Sequence, residues 1–499
     1  MVFSSIPFLF FFLPACLILY YAVPFRVKNY ILLIFSLAFY AWGEPVCILL
    51  MLFASFVDYL DGRLMTKFDD RPGIRRLCLA VSAAVNLSML GFFKYADFAV
   101  ETVNALAHTD FQPPGIGLPI GISFFTFQTM SYSIDLYRRN VSVERNYLTY
   151  LTYVSMFPQL IAGPIVRFRT VQKELHERTI DLDGFSLGML RFLQGLFKKV
   201  LIANNVGALW ETVRANQLAG TAGTASAGAL TAWFGAVLFT FQLYFDFSAY
   251  SDMAIGMGRM LGFHFLENFN YPLCAVSVTD FWRRWHISLS TWFRDYVYIP
   301  LGGNRRGKWK QIRNIMIVWT LTGLWHGAAW NFVLWGVYYG ILLILEKYVW
   351  GKHLEKLPGV LRHLYSFLIV VFGFTIFVFE DMGELKLYVL SMMGRLGNPL
   401  FGREILWYIR NDLALLTVTV LLAFGFFNSL KKLPVFAGGE PAGAVQSAGG
   451  EQSAGGRQTA GAGQSAVRVL TMLGYAALFL LSAAYLVNDS YNPFLYFRF

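Results

Sequence analysis

The sequence predicts an all-α, polytopic integral membrane protein. Of its 499 residues, 56% are hydrophobic and only 14% are charged, whereas soluble domains carry about 25% charged residues. Apolar runs long enough to cross a bilayer recur along the whole chain, and Lys and Arg residues cluster in the short segments between them. The formal net charge of +11 is therefore attributed to the positive-inside pattern, which sets orientation, and no nucleic-acid partner is expected.

The apolar runs predict about 11–12 transmembrane helices. They lie at roughly 6–24, 29–43, 45–60, 77–95, 117–137, 184–204, 228–248, 314–330, 331–348, 363–379, 411–428 and 468–487. Basic residues at 26–28, 67–76 and 138–139 alternate with the first runs, which places these three loops in the cytoplasm. Both termini and the segment 96–116 are then extracytoplasmic.

Two segments depart from the pattern of continuous spans. Residues 147–205 begin with an apolar stretch that Pro158, Gly163 and Pro164 interrupt. Broken backbone at membrane depth is tolerated where it is buried or lines a cavity, so this stretch predicts either a re-entrant cavity wall or a simple kinked span. Residues 283–313 are too polar to span and interleave Arg and Lys with Trp and Tyr, which predicts a segment at the cytoplasmic interface.

A low-complexity segment interrupts what is otherwise one transmembrane domain. Residues 437–466 consist mainly of Ala, Gly, Ser and Gln, which predicts a disordered cytoplasmic linker. Residues 1–436 and 467–499 then form a single transmembrane domain. The four cysteines have no metal-ligand spacing, so neither a metal site nor a structural disulfide is expected.

His326 lies in the run "TGLWHGAAWN", residues 322–331, within an apolar stretch. A helix from Arg313 rises about 20 Å to reach it, which is beyond the middle of a hydrocarbon layer about 30 Å thick. Imidazole is costly to bury in lipid without a partner. The histidine is therefore either a functional group in a pocket or a hydrogen-bonding link between helices. The flanking Gly323 and Gly327 predict open space beside the ring, and Asn331 lies near enough to orient it.

Two carboxylates, Asp246 and Asp252, occur in a run of aromatic and small residues. Carboxylates at membrane depth must be paired, hydrated or functional. They are candidates for donor or acceptor binding, and the alternative is an ion pair with an arginine such as Arg259 or Arg283.

The stretch 280–295 combines arginines with aromatic residues and a second histidine. Guanidinium geometry suits phosphate groups, so this stretch could receive an anionic donor from the cytoplasm, or it could serve only as an interfacial anchor. His286 is either a second active-site group or a structural hydrogen-bond donor. The candidate binding residues here are Arg283, Arg284, Trp285 and Arg294.

Several long motifs make the chain resemble the membrane-bound O-acyltransferase (MBOAT) family. "FWRRWHISLSTWFRDYVYIPLGGN" is followed closely by "LTGLWHGAAWNFVLWG", and "LPIGISFFTFQTMSYSIDLYR", "FPQLIAGPIVRF" and "NPFLYFRF" extend the likeness from end to end. The segment 437–466 is the clear departure. The resemblance implies transmembrane helices together with re-entrant and interfacial helices around a central tunnel, and it places the two family histidines at His326 and His286.

The resemblance also implies a reaction and its partners. Family members move an acyl group, usually acetyl from acetyl-CoA, to a hydroxyl of an extracytoplasmic polysaccharide such as an alginate-like exopolysaccharide or another cell-envelope glycan. They often work with a periplasmic SGNH-type acetyltransferase, and the expected location is the bacterial cytoplasmic (inner) membrane. Acetyl-CoA is expected as a substrate and no metal is expected.

The family role suggests that His326 is a general base, because imidazole titrates near neutral pH. Trp325 or Asn331 would orient the ring or polarise the acyl carbonyl. A covalent acyl-histidine is the alternative chemistry. Two other protein classes share many spans and intramembrane polar residues, namely a secondary transporter and a non-catalytic scaffold of a polysaccharide-export complex.

Overall fold

The computed structural model describes residues 1–161, 163–220, 228–426, 462–488, 492, 493 and 495. The regular secondary structure within these residues is helical, with α-helices interrupted by short π-helical and 3-10 turns. The predicted all-α class is confirmed. The predicted linker, residues 437–466, lies outside the described residues except where the last helix begins at Ala462.

The N-terminal third contains long helices joined by short loops. A π-helical turn at Phe8–Phe12 leads into the first of them, and they are α1 (Leu13–Ala22), α2 (Phe25–Gly43), α3 (Ile48–Lys67), α4 (Pro72–Ala107) and α5 (Ile122–Tyr137). Helices α3, α4 and α5 contact one another. Since α3 and α5 both approach α4, the last turns of α4 are brought beside the start of α5.

The middle of the chain alternates broken and long helices. The elements are α6 (Tyr147–Ser155), α7 (Phe157–Leu160), α8 (Phe168–His176), α9 (Leu182–Phe197), a π turn (Lys198–Ala203), α10 (Asn204–Gly220), α11 (Ala229–Met260), a 3-10 turn (Pro272–Cys274), α12 (Val278–Arg284), α13 (Ile287–Phe293) and a π turn (Arg294–Tyr298). The predicted interruption of the apolar stretch is confirmed: α6 and α7 are short, they are separated at Met156, and Pro158 lies in the first turn of α7.

The C-terminal part holds the hairpin that carries His326 and the last helices. These are α14 (Lys308–His326), α15 (Trp330–Leu345), a π turn (Glu346–Trp350), α16 (Gly351–Leu354), α17 (Gly359–Val378), α18 (Met382–Met392), α19 (Glu404–Asn411), α20 (Leu413–Ala423) and α21 (Ala462–Asn488). Helix α14 packs along α15, and α17 packs against α15 and α11.

Two helices, α5 and α11, form the centre of the molecule. Nearly every side chain of α5 is buried, and most of α11 is buried along its whole length. A helix that is enclosed on all sides is a core element rather than a lipid-facing one. The outer helices carry exposed leucines, phenylalanines and isoleucines on their outer faces, as expected of surfaces that face hydrocarbon.

Among the residues that the structure describes, five helical segments are long and apolar enough to cross a membrane: Pro72–Ala107, Ala229–Met260, Trp330–Leu354, Gly359–Val378 and Val469–Asn488. The bent pair α19 and α20 gives a sixth if it counts as one span. The other predicted apolar runs coincide with helices that are shorter, more polar or interrupted. The chain is therefore a multi-pass membrane protein, as its composition predicted.

Candidate active site

His326 is the last residue of α14, and a short extended connection at Gly327 leads into α15. The predicted turn at this histidine is confirmed. The two helices of the hairpin approach closely at Gly323 and Gly336: a Cβ on Gly323 would lie 2.3 Å from the carbonyl oxygen of Phe332. A Cβ on Gly327 would collide with the Phe332 ring. The prediction that these glycines leave open space beside the imidazole is wrong, because backbone and ring atoms fill that space.

The His326 ring stands among aromatic rings and is only 6% exposed. The ring centroids of Trp325 and Trp335 each lie 5.0 Å from the imidazole centroid, and that of Phe377 lies 5.3 Å away. All three meet the imidazole edge to face. Such packing fixes the ring orientation, because rotation about its side-chain bonds would collide with a neighbouring ring.

A cavity borders His326 on the side that the sequence predicts to be extracytoplasmic. It is narrow, with a volume of about 30 Å³ that holds one or two water molecules, and its wall includes residues 118–121, Ser123, Trp325 and His326. Residues 118–121 follow directly on the predicted extracytoplasmic segment 96–116. The imidazole thus lies at the boundary between an aromatic interior and a space on the predicted outer side.

Two adjacent residues of α4 cap the helix that carries His326. The Lys94 ammonium donates to the carbonyl oxygens of Trp325 and His326, the latter at 3.2 Å, and it lies 3.4 Å from Ser123 Oγ. The Tyr95 hydroxyl donates to the Leu324 carbonyl at 2.6 Å. The last carbonyls of a helix have no partner within the helix, and a cation there also complements the helix dipole. Lys94 and Tyr95 therefore fix the position of the helix end that presents His326.

His286 lies in the same region, between α12 and α13. It adopts a left-handed backbone conformation with φ of 44°, which costs a non-glycine residue about 1–2 kcal/mol. Its Nδ1 is 3.2 Å from Asn268 Oδ1, and that oxygen also accepts a hydrogen bond from Ser288 Oγ at 2.9 Å. Because Asn268 Oδ1 is an acceptor, His286 Nδ1 carries the proton and its Nε2 keeps a lone pair.

Trp325 connects the two histidines. Its ring lies 6.1 Å from the His286 ring and 5.0 Å from the His326 ring, centroid to centroid. It also stacks on Phe127 at 5.4 Å. Its indole N–H is buried and has no acceptor among the described residues. Such a donor beside a cavity is available to a ligand or to water.

Asn331, the other residue predicted to orient His326, binds the backbone of α17. Its amide nitrogen donates to the carbonyl oxygen of Phe377 at 2.9 Å, which ties the start of α15 to the end of α17. Asn331 therefore helps to hold Phe377 against the imidazole, so its support of the ring is indirect.

The predicted ion pairing of Asp246 and Asp252 is confirmed, but the cations differ from Arg259 and Arg283. Asp246 pairs with Lys199 at 2.6 Å, and both side chains are buried. Asp252 pairs with Lys198 at 2.6 Å and with Arg191 at 2.7 Å. These cations lie on α9 and on the π turn that follows it, and they meet the carboxylates because that part of the chain packs along α11.

Asp246 also anchors the end of the chain. Its second oxygen accepts a hydrogen bond from the backbone N–H of Leu495 at 3.0 Å, and Lys199 donates to the carbonyl of Pro493. Both carboxylates are engaged by the chain's own groups, which favours a structural part for them over the predicted donor or acceptor binding.

The arginines predicted to bind the donor occupy three different settings. Arg283 is exposed, whereas Arg284 pairs with Asp280 at 2.9 Å. Arg294 pairs with Asp295 at 2.8 Å. Burial raises the pKa of the Asp295 carboxyl, but hydrogen bonds and charges from Arg294 and Arg167 outweigh it and leave the pKa below its ordinary value.

Trp285, which was also predicted to contact the donor or acceptor, is buried among aromatic rings. It stacks on Phe281 at 5.5 Å and meets Phe269 edge to face at 5.1 Å. This position gives Trp285 a packing function in the wall around His286.

Sequence reasoning missed three residues that shape the site, namely Lys94, Tyr95 and Asn268. Lys94 closes a predicted apolar run, where a lysine usually extends to the membrane interface. Only its pairing with α14, a helix far away in sequence, reveals its use. Asn268 follows α11 in a loop without any motif. Among the described residues, no group of three His, Cys, Asp or Glu side chains could hold a metal ion.

The fold and this site define a multi-pass membrane protein with two buried histidines next to Trp325, one of which, His326, borders a cavity. The model of the membrane-bound O-acyltransferase family matches residues 30–379, and the chain belongs to this family.

Named relatives share this family resemblance over much of their length. The chain is 38% identical to "Probable alginate O-acetylase AlgI" of Pseudomonas aeruginosa, with 100% of both chains covered. It is 33% identical to "Peptidoglycan O-acetyltransferase" of Helicobacter pylori, over 80% of this chain and 81% of that protein. It is 30% identical to "Teichoic acid D-alanyltransferase" of Bacillus subtilis, over 52% of this chain and 68% of that protein.

Proposed function

We propose that this O-acyltransferase moves an acetyl group from acetyl-CoA, supplied from the cytoplasm, to hydroxyls of an extracytoplasmic polysaccharide. The observation that carries the proposal is the position of His326, which borders a cavity on the predicted outer side while its ring is held in an aromatic interior. A proton-accepting group at such a boundary can serve an acceptor from one side and a donor from the other.

In the proposed reaction, His326 takes the proton of the acceptor hydroxyl as the oxygen attacks the thioester carbon. The C–O bond of the ester forms, the C–S bond breaks, and the proton passes from the imidazole to the thiolate sulfur. The indole N–H of Trp325 donates to the acyl oxygen while negative charge develops there. One such donor is worth about 100-fold or more in rate where it has been removed from other acyl-transfer sites.

His286 supports this chemistry from the other side of Trp325. With Nδ1 bonded to Asn268, its Nε2 lone pair is fixed in direction. We assign it as the second active-site group, which orders the acceptor or relays the proton toward sulfur. Its strained backbone is consistent with this assignment, since residues held in rare conformations cluster at functional sites.

The acceptor and the partner are proposed from the relatives. Two of them are named for O-acetylation of alginate and of peptidoglycan, and both polymers are glycans with free hydroxyls. We therefore propose an alginate-like exopolysaccharide or another cell-envelope glycan as acceptor. Transfer to the glycan would be either direct or completed by a periplasmic SGNH-type acetyltransferase, and the protein would reside in the bacterial cytoplasmic membrane.

A vesicle experiment tests the proposed function. The purified chain is placed in liposomes with labelled acetyl-CoA inside and fragments of alginate or peptidoglycan outside. Because donor and acceptor approach His326 from opposite faces, we expect labelled ester on an outer glycan, and far less when both substrates are enclosed on one side. Two results would contradict the proposal and favour a transporter. In one, ester forms equally well when both substrates are on the same side; in the other, the label crosses the membrane as free acetate without CoA.

A trapping experiment separates the two chemistries of His326. With labelled acetyl-CoA and no acceptor, direct attack leaves the protein unlabelled, whereas covalent catalysis leaves an acetyl group on the imidazole. We expect no label on His326, as judged by rapid quenching and mass spectrometry of its peptide. Label that is retained there and then chased to an added glycan would instead establish an acyl-histidine intermediate.

A further inference from the structure

Four arginines from three separate parts of the chain converge on one aspartate, Asp295: three contact its carboxylate and one contacts its backbone carbonyl. They are Arg138 at the end of α5, Arg167 and Arg169 at the start of α8, and Arg294 after α13. We call these four side chains the arginine cluster. Of these four, the sequence predicted only Arg294 as a donor-binding residue, because the other three lie more than a hundred residues earlier in the chain.

The contacts within the arginine cluster are short. Arg167 Nη1 is 2.7 Å from Asp295 Oδ2, and Arg169 Nη2 is 3.4 Å from the same oxygen. Arg294 Nε is 2.8 Å from Oδ1, and Arg138 donates to the Asp295 backbone carbonyl at 3.1 Å. Three guanidinium groups therefore share the carboxylate of Asp295, and the fourth binds its backbone carbonyl.

A second carboxylate lies nearby but does not neutralise the cluster. Asp135 is buried and accepts a hydrogen bond from the Tyr296 hydroxyl at 2.7 Å. The Arg138 and Arg167 guanidinium groups lie 5.4 and 4.9 Å from the centre of the Tyr296 ring. Even when both aspartates are counted against the four arginines, positive charge is in excess at this surface.

One hydrogen-bond donor of the Arg167 guanidinium group has no acceptor among the described residues. This donor is the second terminal nitrogen, Nη2, and the Arg167 side chain is only 5% exposed. A buried charged donor without an acceptor is costly, because it loses water and gains nothing in exchange. An anionic ligand at the cluster would supply the missing acceptor.

A column of stacked rings leads from the arginine cluster to His326. Tyr296 lies 5.1 Å from Trp292, Trp292 stacks on Phe127 at 3.7 Å with the planes 3° apart, and Phe127 stacks on Trp325 at 5.4 Å. Trp325 adjoins His326. The cluster, on the predicted cytoplasmic side, and the candidate catalytic imidazole therefore lie at the two ends of one continuous wall.

We propose that the arginine cluster binds the phosphate groups of a phosphate-bearing thioester donor and directs its acyl end along this wall. The proposal deepens the proposed function and rests on it. Guanidinium groups bind phosphate oxygens in pairs of parallel hydrogen bonds, which a single carboxylate cannot provide for three arginines at once. Asp295 holds the cluster together when no donor is bound, and the phosphates then compete with it.

The test compares a donor with phosphates and one without. In the double variant Arg169→Gln, Arg294→Gln, two exposed members of the cluster lose their charge while buried Arg167 keeps its partner, so folding is preserved. We expect the KM for acetyl-CoA to rise about 10-fold or more, because charge-assisted hydrogen bonds to the phosphates are lost. The kcat/KM for S-acetyl-pantetheine, which has no phosphate, should stay within about 2-fold of wild type.

A matched control removes two arginines elsewhere on the same predicted side. The double variant Arg63→Gln, Arg76→Gln changes the net charge equally at exposed positions, and its KM for acetyl-CoA should match that of wild type. If both double variants raise the KM alike, the effect is general attraction of an anion and the proposal is overturned. It is also overturned if the cluster variant loses activity equally with both donors.

Lipid headgroups also carry phosphate, and the choice of membrane distinguishes lipid binding from donor binding at the cluster. The KM change should persist in detergent and in phosphatidylcholine liposomes. If it occurs only in liposomes that contain phosphatidylglycerol, the cluster binds lipid and the proposal is overturned. A wild-type chain that transfers acetyl from neither donor would instead refute the proposed function itself, which is a different observation from any effect of the variants.

Discussion

Replacing His326 by alanine should lower acyl transfer by about 100-fold to 10⁴-fold, the range that general acid–base groups contribute. The imidazole is the titratable group that borders the cavity, and alanine can neither accept the hydroxyl proton nor return one to sulfur. The measurement is labelled ester formation in membranes that contain equal amounts of wild-type and variant protein. Replacement of the exposed His353 by alanine serves as the control, and it should leave transfer unchanged.

The same variant discriminates between protein classes. An enzyme should lose transfer while the protein still accumulates and assembles in the membrane. A scaffold should support polymer modification as before, and a transporter should retain a flux that does not need coenzyme A. Full transfer by His326→Ala would therefore contradict the assignment of this residue, whatever the effect on stability.

Added imidazole extends the test, because removal of the His326 side chain enlarges a cavity that already reaches the ring. Partial recovery of transfer with millimolar imidazole in His326→Ala, and none in wild type, would identify the missing function as proton transfer. A loss that imidazole cannot restore, together with a lower melting temperature, would indicate that the ring mainly supports packing against Trp335 and Phe377.

The features that depend on local sequence could be predicted. Within the described residues each predicted apolar run is mainly helical, although some runs are shortened or interrupted. The prolines and the glycine between residues 158 and 164 mark a real break, and α14 ends at the histidine, as the short gap before the next run implied. These features depend on hydrophobic length and on backbone restrictions that act within a few residues. For the same reason, the class of protein followed from composition alone.

The partners of the polar groups could not be predicted, because they depend on which helices pack together. Asp246 pairs with Lys199 rather than Arg259, since α11 packs along the α9 side. Gly323 and Gly327 admit the neighbouring Phe332 and not a ligand. Spacing along the sequence indicates that a small or charged residue is needed at a position. Only the tertiary packing decides which group that residue contacts.

The second large effect on activity is expected from Lys94, which sequence reasoning missed. Replacing Lys94 by methionine should lower kcat by about 100-fold, the size of effect that displacement of a reacting group by about 1 Å can produce. Lys94 is buried, and its ammonium holds the carbonyls of Trp325 and His326 at the end of α14. Methionine fills a similar volume but leaves both carbonyls without that donor, at a cost of about 1–3 kcal/mol for each buried group left unsatisfied.

Lys94 is a positioning residue in this argument, so its test must distinguish placement from stability. We expect kcat to fall while the KM for the donor changes little, and we expect Lys94→Arg, which keeps the cation, to recover part of the loss. Tyr95→Phe is the matched control: it removes the neighbouring cap on Leu324, one residue farther from the imidazole. It should lower the melting temperature with a smaller loss of kcat. If Lys94→Met and Tyr95→Phe lower kcat and melting temperature equally, the ammonium stabilises the helix end without a particular effect on His326. A group that positions the imidazole should instead lower kcat more than its effect on the melting temperature would explain.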